Sequence, residues 1–158
     1  MRKFEKISFD QFKKDIVDDK ELYESYDIPK RKTKHSAGYD FASMINKTLA
    51  PGETVLVPTG IKCALNSGEV LLLIVRSSLG FKHNIRLVNQ VGVIDADYYN
   101  NVDNEGHILI KLKNEGDHEY ELEVGSAVAQ GLIVNYLTVD DEEEVTAERK
   151  GGIGSTNK

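Results

Sequence analysis

The chain has 158 residues and a formal net charge of −6, and 40% of its residues are hydrophobic. These values are typical of one globular domain with a substantial core. The negative charge argues against nonspecific nucleic-acid binding, which needs a surplus of Lys and Arg on one face. The one cysteine, Cys63, cannot form an intramolecular disulfide, which favours a reducing cytoplasm. The longest apolar run, Val70–Val75, is too short to span a bilayer, so we expect no membrane association.

A single helix is predicted near the N-terminus, from Ser8 to about Lys20. Ser8 can cap its first turn, and Phe9, Phe12 and Ile16 recur at helical spacing. No later segment is predicted to be helical.

From Tyr26 onward the sequence consists of short runs rich in Val, Ile, Leu, Tyr and Thr, separated by Gly, Pro or Asn. Such runs predict β-strands, and their regular spacing without intervening helices favours an antiparallel sandwich or jelly roll. Cys63 falls within one of them, where we expect an inert thiol. The predicted strands are Thr54–Val57, Gly60–Leu65, Val70–Arg76, Ile85–Val88, His107–Lys113, Glu119–Glu123 and Ala127–Tyr136.

A change of composition near residue 139 divides the chain. We expect residues 1–138 to form one all-β domain, a jelly-roll-like sandwich or barrel with a short N-terminal helix. Val139–Glu148 is acidic and poor in large apolar groups, which is typical of a solvated linker. The glycine-rich segment 150–158 that follows would be disordered by itself.

Two carboxylates, Asp95 and Asp97, follow the apolar pair Val93–Ile94. We expect this pair to bury Asp95 partly, and such a carboxylate can act as a general base toward water. A calcium-binding EF-hand loop beginning at Asp95 needs Gly at its sixth position and Glu at its twelfth. The chain has Asn100 and Gly106 there, which excludes that loop. A turn with two solvated acids is the alternative.

Four other polar or glycine-rich segments accompany the stretch Asn89–Tyr98. Taken singly, each is explained by an ordinary turn, a strand edge or a disordered terminus. Together, in this order and at this spacing, the five resemble the motifs of the trimeric dUTP diphosphatases (dUTPases), in a variant like those of phages and Gram-positive bacteria. The four segments are His35–Phe41, Arg76–Gly80, Gly125–Gly131 and Arg149–Asn157.

The resemblance is most specific at Gly92–Tyr98, which matches the family's third motif, Gly-x-Ile-Asp-x-Asp-Tyr, at every fixed position. It implies that Asp95 orients the attacking water and that Tyr98 packs on the deoxyribose and excludes a 2′-hydroxyl. Asn89 would read uracil together with backbone groups of the hairpin. Cytosine would leave buried donors unpaired, at about 1–3 kcal/mol each. The implied hairpin contacts are Gly92, Val93 and Ile94.

The first, second and fourth motifs imply a phosphate-binding region. Arg76 would donate forked hydrogen bonds to phosphate, and Ser77 and Ser78 would hold bridging oxygens. Gln130 would contact the phosphates, and Asp40 would help to hold hydrated Mg²⁺ near them through a water molecule.

The fifth motif implies a flexible C-terminal arm that closes over the nucleotide. Consecutive glycines free the backbone to turn its N–H groups toward an anion. Arg149 would reach the terminal phosphates. The other arm residues expected at the nucleotide are Gly152, Ile153, Gly154, Ser155 and Thr156.

Two departures from the family pattern bear on the site. Ser126–Ala127 replaces the usual Asp-Arg pair, which affects interface detail more than chemistry. Ile153 replaces the Phe that stacks on uracil, and isoleucine can cover the base without aromatic stacking. Because the hairpin after Tyr98 is longer than the common form, we expect Tyr99 or His107 to supply the missing aromatic contact.

The resemblance implies Mg²⁺-dependent hydrolysis of dUTP to dUMP and pyrophosphate by a cytoplasmic homotrimer. This reaction prevents uracil incorporation into DNA and supplies dUMP for thymidylate synthesis. A dCTP deaminase on the same fold is disfavoured, since the chain lacks tryptophan and an Asp-Pro-Gly segment. A regulatory module that binds a protein partner is the other alternative, and the N-terminal helix and the long hairpin are the features that would serve it.

Overall fold

The computed structural model describes residues 1–147, 149 and 151–153, and antiparallel strands dominate this part of the chain. Three short helices and a 3₁₀ turn at Ala96–Tyr98 complete the regular structure of this part. The helices are α1 (Phe9–Asp15), α2 (Lys20–Ser25) and α3 (Ser77–His83). The strands are β1 (Lys3–Lys6), β2 (Tyr39–Ala42), β3 (Lys47–Leu49), β4 (Thr54–Pro58), β5 (Ile61–Ala64), β6 (Glu69–Val75), β7 (Ile85–Leu87), β8 (Gly92–Ile94), β9 (Leu109–Asn114), β10 (Tyr120–Leu122) and β11 (Ala127–Asn135).

The strands form a four-stranded sheet in the order β2-β11-β6-β8, a three-stranded sheet in the order β4-β9-β7, and the pairs β1-β5 and β3-β10. All of these pairings are antiparallel. Side chains from every sheet meet in one core, among them Phe41, Leu71, Ile110 and Leu122. The structure therefore confirms the all-β, jelly-roll-like architecture that the sequence predicts.

The strand pattern of β9 shows why these residues form a sheet. Ile110 and Leu112 are buried, whereas the intervening Lys111 is exposed, as expected when successive side chains point to opposite faces. Each of the seven predicted strands is observed, with ends within two residues of the predicted ones. The strands β1, β2, β3 and β8 were not predicted, because runs of three or four residues carry too little periodic signal.

The prediction of one N-terminal helix over Ser8–Lys20 is wrong in its extent. Helix α1 begins at the predicted cap, where the Ser8 hydroxyl accepts a hydrogen bond from the Gln11 N–H at 3.1 Å. Ile16 then leaves helical geometry, with φ −127° and ψ −78°. Asp19 caps a separate helix, α2, by accepting from the Leu22 N–H at 2.9 Å. The predicted helix therefore ends at Asp15, and the cap at Asp19 begins a second helix that lies almost wholly beyond the predicted segment. The sequence patterns also missed α3, since a helix of two turns gives little periodic signal.

The expectation for Cys63 is confirmed. The side chain is buried in β5, and burial raises the pKa of its thiol to about 12. Such a thiol stays protonated at neutral pH and is a poor nucleophile. Among the described residues, no helix has the length and apolar content needed to cross a membrane.

Candidate functional site

A cavity of about 440 Å³ lies beside β8 and is here called the β8 cavity. The turn between β7 and β8 forms one wall, with Gln90 in the left-handed region at φ 64°. The cavity brings together most of the residues that the sequence predicts around the base and sugar. The predicted residues that line it are Asn89, Gly92, Val93, Ile94, Asp95, Tyr98, Arg149 and Ile153.

The strand β8 leaves one of its edges open toward solvent. Among the described strands it pairs only with β6, in the register Gly92 with Leu73 and Ile94 with Leu71. A side chain at Gly92 would approach the Cβ of Leu73 to 3.1 Å, so glycine permits the close contact of the two strands. The outer edge pairs with no other strand of the described chain, and its backbone groups are available to a ligand.

Asp95 is more exposed than the sequence predicts. Its side chain has 52% of its surface accessible, so the expected partial burial by Val93–Ile94 is wrong for this chain. The reason is that Val93, on the short edge strand, is itself 59% exposed and covers little. The 3₁₀ turn that begins at Ala96 then carries Asp95 and Asp97 toward the same cation.

That cation is Arg149, which lies between the two carboxylates. Its Nη2 donates to Asp95 Oδ2 and its Nε donates to Asp97 Oδ1, both at 2.8 Å. The hydrogen bond and charge of Asp97, with those of Asp95, raise the pKa of Arg149 against the opposing effect of burial. The guanidinium also lies 5.7 Å from the centre of the Tyr98 ring. The family resemblance implies that Arg149 reaches the phosphates, whereas here its one positive charge is shared by two carboxylates.

Tyr98 is held rigidly at the wall of the β8 cavity. Its side chain is buried, and its hydroxyl donates to the His107 carbonyl at 2.9 Å. The same hydroxyl accepts a hydrogen bond from Asn104 Nδ2 at 2.9 Å. Burial raises the pKa of Tyr98, so the phenol stays neutral. These contacts fix the ring in one orientation.

The prediction that Tyr99 or His107 replaces the stacking Phe is wrong, since neither side chain lines the β8 cavity. The Tyr99 hydroxyl instead donates to Glu5, on β1. The His107 ring is fully buried, with Nδ1 2.7 Å from Asp15 Oδ2 and Nε2 accepting from the Gly60 N–H at 2.9 Å. Ile153 and Arg149 are the described arm residues that line the cavity, and Ile153 is 75% exposed.

A second group of predicted residues, the Asp40 cluster, comprises Asp40, Arg76 and Gln130. Asp40 on β2 lies opposite Gln130 on β11 in the strand register. Arg76 precedes α3, and its Nε lies 3.4 Å from Asp40 Oδ1. Ser77 and Ser78 are exposed in the first turn of α3. The structure therefore brings the predicted phosphate-binding residues together on the β2-β11-β6 side of the sheet.

Asp40 has the properties expected of a group that contacts a hydrated cation. Its Oδ2 atom is buried without a hydrogen-bond partner among the described residues, and the Lys32 Nζ lies 4.0 Å away. A buried carboxylate oxygen in this state can accept from a metal-bound water. The described residues contain no cluster of three or more His, Cys, Asp or Glu side chains able to hold a metal. A single carboxylate is sufficient for an Mg²⁺ ion that is bound mainly by the phosphates of the substrate.

The two groups remain separate on one chain. Within the described residues, the lining of the β8 cavity includes none of Arg76, Ser77, Ser78 and Gln130. Gly154, Ser155 and Thr156, which the sequence predicts at the nucleotide, lie outside the described residues. Sequence reasoning missed the pairing of Asp97 with Arg149, for which the only signal is the placement of two acids two residues apart.

Comparisons with known proteins identify relatives of this chain. The deoxyuridine 5′-triphosphate nucleotidohydrolase of Lactococcus lactis subsp. lactis (strain IL1403) is 49% identical over 130 residues, which are 82% of this chain and 87% of that protein. The crystal structure of a dUTPase from Streptococcus mutans is 44% identical, with a TM-score of 0.71, and the match covers 87% of this chain and 98% of that chain.

A mutant dUTPase from phage phi11 of S. aureus, whose structure describes the coordination of a structural Mg(II) ion, is 22% identical with a TM-score of 0.69. The match covers 93% of this chain and 97% of that one, and at this identity it shows the fold alone. The dUTPase family model matches residues 24–157. With this match and a relative that shares almost half of its residues over most of both chains, the protein described here belongs to the dUTPase family.

Proposed function

We propose that this chain hydrolyses dUTP to dUMP and pyrophosphate in the presence of Mg²⁺, which limits uracil incorporation into DNA and supplies dUMP. The observation that carries the proposal is the β8 cavity, where Asp95, Asn89 and Tyr98 border one space of about 440 Å³. A volume of this size is within the usual range for small-molecule sites. The family membership and the named relatives support the same reaction.

The base is proposed to bind along the open edge of β8. Uracil presents an acceptor, a donor and an acceptor along one edge, which backbone groups and the amide of Asn89 can pair. Asn89 is exposed at the mouth of the cavity, in the turn before β8. Cytosine presents a different donor pattern and would leave polar groups unpaired, which disfavours it by about 1–3 kcal/mol for each lost pairing.

The sugar is proposed to lie against the ring of Tyr98. Because two hydrogen bonds hold the Tyr98 hydroxyl, the ring has little freedom to move away from an additional substituent. A ribose 2′-hydroxyl would meet this ring, whereas a deoxyribose would pack on it. Discrimination against UTP follows from this fixed wall.

Asp95 is proposed to take a proton from the water that attacks the α-phosphorus. The carboxylate is half-exposed, so water reaches it without a conformational change. Arg149 holds Asp95 in the structure, and its forked donors suit phosphate as well as carboxylate. Binding of the triphosphate is expected to draw Arg149 from the acids to the phosphates, which frees Asp95 to accept the proton.

The phosphates are proposed to bind at the Asp40 cluster. Arg76 and Gln130 would donate hydrogen bonds to phosphate oxygens, and the hydroxyls of Ser77 and Ser78 would do the same. The Oδ2 of Asp40, which has no hydrogen-bond partner among the described residues, would accept from water bound to Mg²⁺. When bound, Mg²⁺ supplies positive charge against the negative charge that builds on the leaving pyrophosphate.

A homotrimer with shared sites is part of the proposal. Within the described residues, the β8 cavity and the Asp40 cluster have no residue in common. A complete site therefore needs the β8 cavity of one protomer next to the Asp40 cluster of another. In this scheme residues 1–138 form the β domain, and residues 139–158 form the linker and arm that close the site.

The direct test is to measure pyrophosphate release from dUTP, dCTP, dTTP and UTP with Mg²⁺. We expect turnover of dUTP alone, and Asp95→Asn should reduce it by several orders of magnitude, since general-base catalysis alone contributes about 10²–10⁴-fold. Asp117→Asn, in the exposed turn between β9 and β10, is the matched control and should retain full activity. Intact dUTP after incubation with wild-type protein, or ammonia release from dCTP, would falsify the proposal.

A further inference from the structure

The loop Tyr99–Gly106, here called the platform loop, connects Tyr98 to the segment before β9 and contacts the C-terminal arm. We propose that this loop is the surface on which the arm closes, and that Asp103 is the positioning residue that holds the arm there. The inference deepens the proposed function, because it rests on closure of the arm over the nucleotide.

Two asparagines give the platform loop a fixed shape. Asn101, which is buried, donates to the Tyr98 carbonyl at 2.8 Å and accepts from the backbone N–H groups of Asp103 and Asn104 at 3.1 and 3.2 Å. Asn104 accepts from the Gly106 N–H at 3.1 Å and donates to the Tyr98 hydroxyl at 2.9 Å. The loop is therefore ordered by its own side chains, and it is joined directly to the wall of the β8 cavity.

The N-terminal segment and β5 hold the loop from outside. The carboxylate of Glu105 accepts from the Ser8 N–H at 2.9 Å, at the cap of α1. Lys14, on α1, donates to the Asp103 carbonyl at 3.2 Å. Lys62, on β5, donates to Asn100 Oδ1 at 2.8 Å. These contacts come from parts of the chain more than 30 residues away in sequence, so the loop is supported by the fold rather than projecting freely.

The arm is attached to this support through Gly152. The Gly152 N–H donates to Asp103 Oδ2 at 2.7 Å, and both Gly151 and Gly152 are buried. A Cβ added to Gly152 would lie 3.7 Å from the side chain of Asn104, which shows how closely the arm follows the loop. A hydrogen bond to an ionised carboxylate is stronger than one between neutral groups.

The two attachments of the arm have different consequences for a nucleotide. Arg149 is bound to Asp95 and Asp97, and this contact must be given up if Arg149 moves to phosphate. The bond from Gly152 to Asp103 involves no group of the catalytic carboxylates, so it can persist while Arg149 changes partner. By holding Gly152, Asp103 keeps the following arm residue, Ile153, at the β8 cavity, where Ile153 can cover the base.

The test uses a fluorescent arm. The chain has no tryptophan, so Ile153→Trp gives one emission signal that reports the arm alone. Titration with a non-hydrolysable dUTP analogue and Mg²⁺ should change the emission of this variant. Adding Asp103→Ala should weaken the apparent affinity in the emission titration about tenfold, the size expected for one lost hydrogen bond to a charged group. Asp103→Asn, which keeps an acceptor oxygen, should recover part of the response.

Kinetics of variants that keep the native Ile153 distinguish arm positioning from a general structural defect. Asp103→Ala should raise KM for dUTP about tenfold and leave the thermal midpoint close to that of Asp117→Ala, the control in the distant β9–β10 turn. Unchanged emission affinity and KM in both Asp103 variants would overturn the role of Asp103. If Ile153→Trp hydrolyses dUTP but its emission ignores the nucleotide, arm closure fails and the inference with it. Failure of wild type to hydrolyse dUTP is a separate result that overturns the proposed function itself.

Discussion

Gly38 occupies the point where the chain before β2 passes closest to Gln130. A Cβ added at Gly38 would lie 2.5 Å from Gln130 Oε1 and 3.2 Å from Gln130 Cβ. The φ of Gly38 is not in the left-handed region, so the requirement for glycine is steric rather than conformational. Gly38, in the first motif, therefore determines where the amide of Gln130, in the fourth motif, can lie.

Gly38→Ala is expected to destabilise the protein by about 1 kcal/mol, the low end of the range for an added methyl group, because the nearest atom is the far end of the flexible Gln130 side chain. The amide of Gln130 must move to relieve the overlap, so dUTP turnover should fall as well. Urea unfolding midpoints and pyrophosphate release measure the two effects.

The double variant Gly38→Ala/Gln130→Ala separates the two effects. It should regain most of the lost stability, because the overlapping amide is gone, without regaining activity. Equal destabilisation in the single and double variants would show that the overlap is not the cause. This comparison measures the energetic coupling between Gly38 and Gln130, two residues in contact.

At the scale of elements, His107 joins α1 to the hairpin that carries Tyr98. Its Nε2 accepts from the Gly60 N–H, so the ring is neutral with its proton on Nδ1, which donates to Asp15. Burial lowers the pKa of His107, and the hydrogen bond and charge of Asp15, with the charge of Glu105, offset this only in part. Protonation of His107 Nε2 would place one donor against another, the Gly60 N–H. The segments that His107 joins would then separate.

Stability should therefore fall as pH decreases below about 6.5, the pKa of an unperturbed histidine, because the unfolded chain then binds a proton that the folded chain does not. The contribution is complete above that pH. Urea unfolding at pH 7.5 and pH 5.5 measures the loss. The carboxylate of Glu69, whose pKa is held at about 2 by Arg2 and Asn66, does not titrate in this window.

His107→Gln provides the control, since glutamine keeps one donor and one acceptor but does not titrate. We expect lower stability at pH 7.5 than in wild type, with little further loss at pH 5.5. A pH dependence as steep as that of wild type would assign the effect to other groups.

The elements also show how far sequence patterns reach. Strands such as β6 and β9 have long apolar or alternating runs and are predictable from them. The division between α1 and α2 is not, since Phe9, Phe12 and Ile16 keep helical spacing up to the end of α1 and the cap at Asp19 acts locally. The short strand β8 becomes a strand only because β6 offers it an edge, which is a tertiary effect.

Prediction of the candidate site from sequence has the same limit. The third and fifth motifs identify residues that line the β8 cavity, and the first, second and fourth identify the Asp40 cluster, although the roles of these residues remain predictions. The exposure of Asp95 and the contact of Arg149 with two carboxylates depend on how separate segments pack, and no local pattern contains that information. The burial of His107 likewise follows from α1, which lies about 90 residues earlier in the chain.

At the scale of the whole molecule, the separation of the β8 cavity from the Asp40 cluster makes a prediction about subunits. Asp95→Asn and Arg76→Ala should each inactivate the enzyme alone. Trimers refolded from an equal mixture should regain about one quarter of wild-type activity, the share of sites that combine two intact groups at random across a heterologous interface. Pyrophosphate release and size-exclusion chromatography measure the recovery and the assembly.

A mixture of Asp95→Asn and Tyr98→Ala is the matched control. Both substitutions lie in the β8 cavity, so no mixed site has the cavity intact and no activity should return. Equal recovery in the two mixtures, or no recovery in either, would contradict sites shared between protomers.

The position of β11 between β2 and β6 also determines when the Asp40 cluster can exist during synthesis. Residues 127–135 form the last strand of the described chain, yet they pair with both of the earlier strands that carry Asp40 and lead to Arg76. While this segment is still inside the ribosome, β2 and β6 lack β11, the strand that pairs with both of them. Fragments that stop before Ala127 would leave one edge of β6 unpaired, and unpaired edges of this kind promote aggregation.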